Sequence, residues 1–153
     1  MYLTRRTLVL AGMAGLAAPA LAAPPAPHLH VLKDPGCGCC GDWIALMERA
    51  GFGVSAEDVP NDRLARIKAA AGITPALASC HTARIGGYVI EGHVPAADIR
   101  RLLAARPDAV GLSVPGMPWG SPGMGPETER EAYDVMLIGR DGGATVFARY
   151  PAA

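Results

Sequence analysis

The chain has 153 residues, 14 Lys and Arg against 14 Asp and Glu, and no formal net charge. No basic patch invites nucleic acid and no Lys/Arg run invites an anionic lipid surface, so both partner classes are excluded on charge. Half of the residues are hydrophobic but only 5% are aromatic, so Ala, Leu, Val and Ile must fill the core.

The first 22 residues read as an export signal. Arg5 and Arg6 precede a short apolar run, Leu8 to Leu16, and Ala20-Leu21-Ala22 fits an A-x-A cleavage site. The run is too short and too rich in Ala and Gly to span a bilayer comfortably; an uncleaved anchor is the alternative. The paired arginines have a twin-arginine character, and that route carries folded, often cofactor-loaded cargo. Cleavage predicts a periplasmic protein with no membrane attachment. It removes two arginines and no acid, leaving 12 basic against 14 acidic residues, a net charge of −2. The remaining ~130 residues suit one domain with one core. Residues 23–28, with Pro24 to Pro27, read as a stiff linker.

Leu29 to Asp34 alternate and predict a strand, broken by Pro35-Gly36. Trp43, Ile44 and Met47 then continue from Cys40 the i, i+3, i+4, i+7 stripe of a helix, which Gly51 closes. Residues 52–59 predict a second strand. Asn61 or Asp62 is placed to cap a helix with Leu64, Ile67 and Ala71 on one face, ended by Gly72. Residues 82–85 and 88–94, joined by Gly86-Gly87, predict a β-hairpin. Pro95 starts a helix whose apolar face is Ile99, Leu102 and Leu103. The order β-α-β-α-β-β-α is thioredoxin-like. It predicts an α/β domain.

Three of the four cysteines, Cys37, Cys39 and Cys40, fall at the turn from first strand to first helix. Unpaired N–H groups and the helix dipole favour thiolate there. Thiolate is the form that attacks disulfides and the form that binds metal. Cys37 and Cys40 have the C-x-x-C spacing of a redox pair, but Cys39 occupies a position that an ordinary dithiol site does not need. The fourth cysteine stands in Ser79-Cys80-His81-Thr82, just before the third strand. Thioredoxin-like oxidoreductases carry a cis-proline in that place; here a thiol and an imidazole are expected to face the cysteine cluster, which favours metal.

Four cysteines suit one zinc, yet sequence neighbours such as Cys39 and Cys40 chelate one ion only with strain and bridge several ions more readily. Met117 and Met124 flank Trp119 in a Pro/Gly-rich segment that has little reason to be ordered by itself. The expectation is that metal orders it. Thioether with thiolate selects Cu(I) over harder ions, while packing under a loop is the alternative for both methionines. Met47 and Met136 read as core.

The stretches KDPGCGCCGDW, ASCHTARIGGYVIEGHVPAADIRRLL, AVGLSVPGMPWGSPGM and YDVMLI together resemble the periplasmic CopG-type copper-resistance proteins, over about residues 29–150. The resemblance implies a thioredoxin-like domain over residues 29–106 with a C-terminal extension over 107–153 that contributes to the metal site. It implies copper bound through Cys37, Cys39, Cys40 and Cys80, with Met117 and Met124 as further candidate ligands. A role in interconverting Cu(I) and Cu(II) is proposed for that family, which leaves open whether the protein is a copper oxidoreductase, a store or a carrier. Copper ions are the implied partner. Efflux components or an electron donor are candidate partners, and a monomer is expected.

His81, beside Cys80, is a candidate ligand. His93 is either a ligand or structural. His28 and His30 read as exposed histidines, with a weak surface Cu(II) site as the alternative. Asp42 is placed to cap the first helix, and Trp43 to be core or a lid. Two other functions stay open: a metal-free thiol-disulfide oxidoreductase using Cys37 and Cys40, and a binding module held by zinc or a disulfide.

Overall fold

The computed structural model describes residues 26–153; the proposed signal, residues 1–22, lies outside the described residues. Strand β1 (His28–Lys33) leads into helix α1 (Gly38–Arg49), β2 (Gly53–Asp58), α2 (Asn61–Ala70), the hairpin β3 (His81–Ile85) and β4 (Tyr88–Glu91), and α3 (Ala96–Ala105). This is the predicted β-α-β-α-β-β-α order in a mixed α/β fold. Strands β5 (Gly111–Ser113), β6 (Tyr133–Ile138) and β7 (Ala144–Tyr150) follow, with one 3-10 turn at Glu127–Glu129.

All seven strands form one sheet in the order β2-β1-β3-β4-β5-β6-β7. The C-terminal part is therefore continuous with the rest: β5 lies parallel to β4, and β6 and β7 add antiparallel at the edge. The β3–β4 turn is two residues, Gly86 and Gly87, both at positive φ. That is the backbone a tight hairpin of this twist requires and the reason both are glycine. Gly51, at φ 86, closes α1, with the N–H of Phe52 reaching back to the Met47 carbonyl at 3.1 Å.

The predicted stripes point inward. Trp43 and Met47 of α1 and Ile99 and Leu102 of α3 are buried against Leu29, Val31, Ile90 and Leu112 of the sheet, and Cys40 is buried as well. Trp43 is fully buried and its Nε1–H donates to the Val94 carbonyl at 3.0 Å. Truncation to Ala there costs about 3–5 kcal/mol. Met47 is core, and Met136 packs partly buried beside Ile138. Helix α2 packs separately, with Leu64 and Ile67 against Leu32 and Val59.

Two capping expectations fail. Asp42 lies beyond the first turn of α1 and is exposed, and the N-cap position is Cys37 with no side-chain cap. Pro60, not Asn61 or Asp62, occupies the N-cap of α2, and Asp62 instead pairs with Arg66 at 3.0 Å. Proline pre-sets the backbone for helix entry without a capping side chain.

Candidate metal centre

The turn after β1 delivers the cysteines. The Asp34 carboxylate accepts the Gly36 N–H at 2.8 Å, and the Asp34 carbonyl accepts the Cys37 N–H at 3.0 Å. Such an Asx turn is what Asp before Pro-Gly favours. It sets Cys37 at the N-cap of α1 and Cys39 and Cys40 in the first turn. Cys37 and Cys40 are joined in a disulfide, and Cys39 and Cys80 are free. The Cys39 sulfur lies 3.5 Å from that of Cys37 and 3.9 Å from that of Cys80. All four sulfurs fall within 4.8 Å of one another. Cys80 thus faces the cluster as expected. In this oxidised form, however, Cys37 and Cys40 hold each other and offer no thiolate.

Cys80 is fixed by a buried polar network that the sequence reading missed. Glu91 Oε1 accepts the Ser79 N–H at 2.7 Å and the Lys68 ammonium at 2.5 Å, while its other oxygen accepts the Thr82 hydroxyl at 2.7 Å. Lys68 also donates to Thr82 at 2.9 Å. The Ser79 hydroxyl donates to the Gly116 carbonyl. Burial raises the Glu91 pKa, and Lys68 opposes that rise. Removing one partner of such a pair costs about 3–5 kcal/mol, because the other charge is left buried alone. Two signals were available in the sequence. Lys68 sits four residues after Leu64, on the apolar face of α2, and Thr82 and Glu91 are cross-strand partners in the hairpin.

Two imidazoles converge on the same thiol. The Cys80 sulfur is 3.3 Å from His81 Nδ1 and 3.1 Å from His93 Nε2, so these three residues form a second donor group. His93 Nδ1 donates to the Pro122 carbonyl at 2.8 Å, which leaves the lone pair on Nε2, facing the sulfur. His81 is fully buried between the Trp43 ring, at 4.5 Å, and the His93 ring, at 5.2 Å. Its Nε2 has no hydrogen-bond partner, an omission that costs about 1–3 kcal/mol. Burial, the neighbouring His93 and Lys68 push His81 down to about 3. Burial lowers His93 as well. Both rings are therefore neutral, the form that ligates metal. Burial first, and then Cys39, push the Cys80 thiol up to about 12. A bound cation would reverse that preference, because coordination stabilises thiolate.

The loop between β5 and β6 closes over the start of α1. Gly123, at φ 83, sits where an added Cβ would lie 2.6 Å from the Trp43 nitrogen. The loop carries its own turns: the Gly120 N–H donates to the Met124 carbonyl at 2.7 Å and the Met124 N–H to the Ser121 carbonyl at 2.8 Å. Met124 is half-buried and Met117 is 55% exposed. His28 and His30 lie at the far end of β1, each within hydrogen-bond reach of Ser55, and join neither donor group. A cavity of about 310 Å³, bordered by Cys37, Lys68, Ser79 and Cys80, opens beside the sulfurs.

Among solved structures, "Copper resistance protein copG- Form 1" is 43% identical with a TM-score of 0.77, covering 84% of this chain and 100% of that one. The chain belongs to the CopG copper-resistance family. "Copper resistance protein copG- Form 2" is 45% identical with a TM-score of 0.76, covering 82% of this chain and 99% of that one. A family profile described as "Protein of unknown function, DUF411" matches residues 77–124, the stretch that holds Cys80, His81, His93, Met117 and Met124. No curated protein matches. In this CopG-family chain the donors are soft thiols and neutral imidazoles, with no carboxylate in either group. Such a set is able to bind copper or zinc and is poorly suited to Mg²⁺ or Ca²⁺. No helix among the described residues is long and apolar enough to cross a membrane.

Proposed function

We propose that the protein acts in copper resistance in the periplasm by binding Cu(I) as a thiolate-bridged, multinuclear cluster on Cys37, Cys39, Cys40 and Cys80. The observation that carries this reading is the convergence of four sulfurs within 4.8 Å, in a member of a copper-resistance family. Four thiolates around one ion would leave Cys39 and Cys40 strained as neighbours, whereas bridging uses both. His81 borders the cluster through Cys80. Half-buried Met124 and exposed Met117, in the loop between β5 and β6, are the candidate thioethers to cap it.

Full loading requires reduction of the Cys37–Cys40 bond, which takes up two electrons and two protons and yields two thiols. Run the other way, the dithiol gives two electrons to two Cu(II) ions, forming two Cu(I), the disulfide and two released protons. This balance is what supports a part in Cu(I)/Cu(II) interconversion. The test is anaerobic Cu(I) titration of the reduced protein with elemental analysis. More copper than a single ion per chain is expected; a single ion, or none, sinks the multinuclear reading.

The disulfide in a C-x-x-C at a helix start favours a second reading, a metal-free thiol-disulfide oxidoreductase. That activity needs Cys37 and Cys40 alone and would survive Cys39→Ser and Cys80→Ser, whereas copper loading would not.

A further inference from the structure

The histidines at the far end of β1 take no part in the sulfur cluster, and the proposed copper chemistry leaves them without a task. We propose that His28 and His30 form a second, surface site for a divalent cation of the Cu(II) class, sharing no ligand with the cysteines.

Strand register builds this site. His28 and His30 are two residues apart on β1, so both side chains leave the same face of the sheet. Strand β2 runs parallel beside them, with Gly53 opposite His28 and Ser55 opposite His30. Both imidazoles turn to the Ser55 hydroxyl: His28 Nε2 lies 3.0 Å from it and His30 Nδ1 3.1 Å. Gly53 makes room for the first of these contacts. A Cβ there would stand 2.7 Å from His28 Nδ1, so a side chain would push the ring away. The start of the strand is anchored, since the Gly53 N–H donates to the Pro27 carbonyl at 3.0 Å.

Two arguments lead from this geometry to a cation. A hydroxyl has one hydrogen, so it donates to only one of the two imidazoles, and the other must spend its own N–H on the oxygen. A cation in the same place takes a lone pair from each ring at once. Metal-bound imidazole nitrogens lie about 2.0–2.1 Å from the ion, so each ring has to close by only about 1 Å, and both side chains are exposed and free to move. The second argument is the far side of His30. Its Nε2 lies 3.8 Å from the Glu57 carboxylate, placed as the outer partner that orients a metal-bound imidazole. That charge also offsets Arg84, which pairs with His30 across β3.

The donor type selects the ion. Two imidazoles suit Cu(II), which heads the divalent affinity order, and not Mg²⁺ or Ca²⁺. The site stands apart from the thiols: β1 alone spans five steps of about 3.3 Å, roughly 17 Å. Cu(II) held there is kept away from the sulfurs that would reduce it.

The experiment removes those reductants first. Cys39→Ser/Cys80→Ser with the Cys37–Cys40 bond intact has no free thiol. Titrated with Cu(II), it should show an EPR spectrum with nitrogen hyperfine splitting. Adding His28→Gln/His30→Gln should lower uptake by one Cu(II) per chain. Either single His change should weaken that equivalent at least about tenfold, since loss of an outer partner alone costs that much. Gly53→Ala should weaken it too, by displacing the His28 ring, while Tm stays native. The wild type answers without the cysteine changes: one equivalent of Ni(II), a redox-inert probe, should broaden the His28 and His30 ring resonances. Cu(I) uptake by reduced His28→Gln/His30→Gln should equal that of the wild type.

The proposal is overturned if Cu(II) stoichiometry is unchanged in His28→Gln/His30→Gln, if Gly53→Ala binds as tightly as its parent, if Ni(II) leaves both ring resonances sharp, or if the His variant loses Cu(I) uptake. Failure of the reduced wild type to take up Cu(I) counts against the sulfur cluster alone.

Discussion

Cys39 has no task in a dithiol pair, yet its sulfur lies between those of Cys37 and Cys80, at 3.5 and 3.9 Å. Cys39→Ser should therefore lower the Cu(I) stoichiometry of the reduced protein while Cys37 and Cys40 still oxidise to their disulfide. Full copper loading in that variant would make Cys39 a bystander. His81 makes a prediction about acid. Its folded pKa is held near 3 against an ordinary value of 6.5. Between those values the unfolded chain carries a proton that the folded chain lacks, so stability falls as pH drops through that window. The slope is up to about 1.4 kcal/mol per pH unit for one proton. His93, also lowered, adds the same sign. Glu91, raised above 4.5, adds the opposite sign just above that value. Denaturant titrations of the metal-free protein should give a flatter stability profile in His81→Leu than in wild type between about pH 6 and pH 4. Parallel profiles would contradict the burial account. At these positions the sequence pointed to residues that the fold brings together, because thiols and imidazoles are scarce and clustered. It did not show that His93 reaches Cys80, because that contact depends on how β4 ends and on a carbonyl 29 residues later.

The β5–β6 loop shows how a segment without regular structure is tied to a helix by close backbone approach. Gly123 comes so close to the Trp43 backbone that Gly123→Ala must lift the loop from α1 and adopt a positive φ, at roughly 1–2 kcal/mol for the dihedral alone. Since the neighbouring Pro122 carbonyl holds His93, the variant should lose both stability and the His93 Nδ1–H hydrogen bond, read by thermal unfolding and by imidazole N–H exchange. A variant with native Tm and native exchange would show that this contact does not position His93. Met117→Leu/Met124→Leu keeps volume and apolarity nearly constant. It should weaken Cu(I) binding in a competition assay by less than Cys39→Ser does. An unchanged affinity would leave both methionines as packing. Helices α1 and α3 and the hairpin were readable because their periodicity and glycine signals agree. The caps of α1 and α2 were misread because proline and a cysteine turn do the work expected of Asp42, Asn61 and Asp62.

At the scale of the whole molecule, a single sheet runs from the first strand through the C-terminal part. The family resemblance set the start of an extension near Pro107; β5, beyond it, pairs directly with β4, and parallel pairing across a helix crossover leaves no local sequence signature. The sheet also explains why Lys68 and Glu91, 23 residues apart, meet in a buried pair at 2.5 Å: α2 packs over the hairpin that carries Glu91. The disulfide closes a loop of only a few residues, so its loss should cost about 2 kcal/mol or less. The Cys37→Ser/Cys40→Ser variant should therefore stay folded. The central claim is that one sulfur cluster changes its copper capacity with the state of that bond. Its most direct test is anaerobic Cu(I) titration, with copper counted per chain, of the reduced and the disulfide forms of the same preparation. The reduced form should take up several ions and the disulfide form markedly fewer; equal uptake by both forms, or none by either, would contradict it.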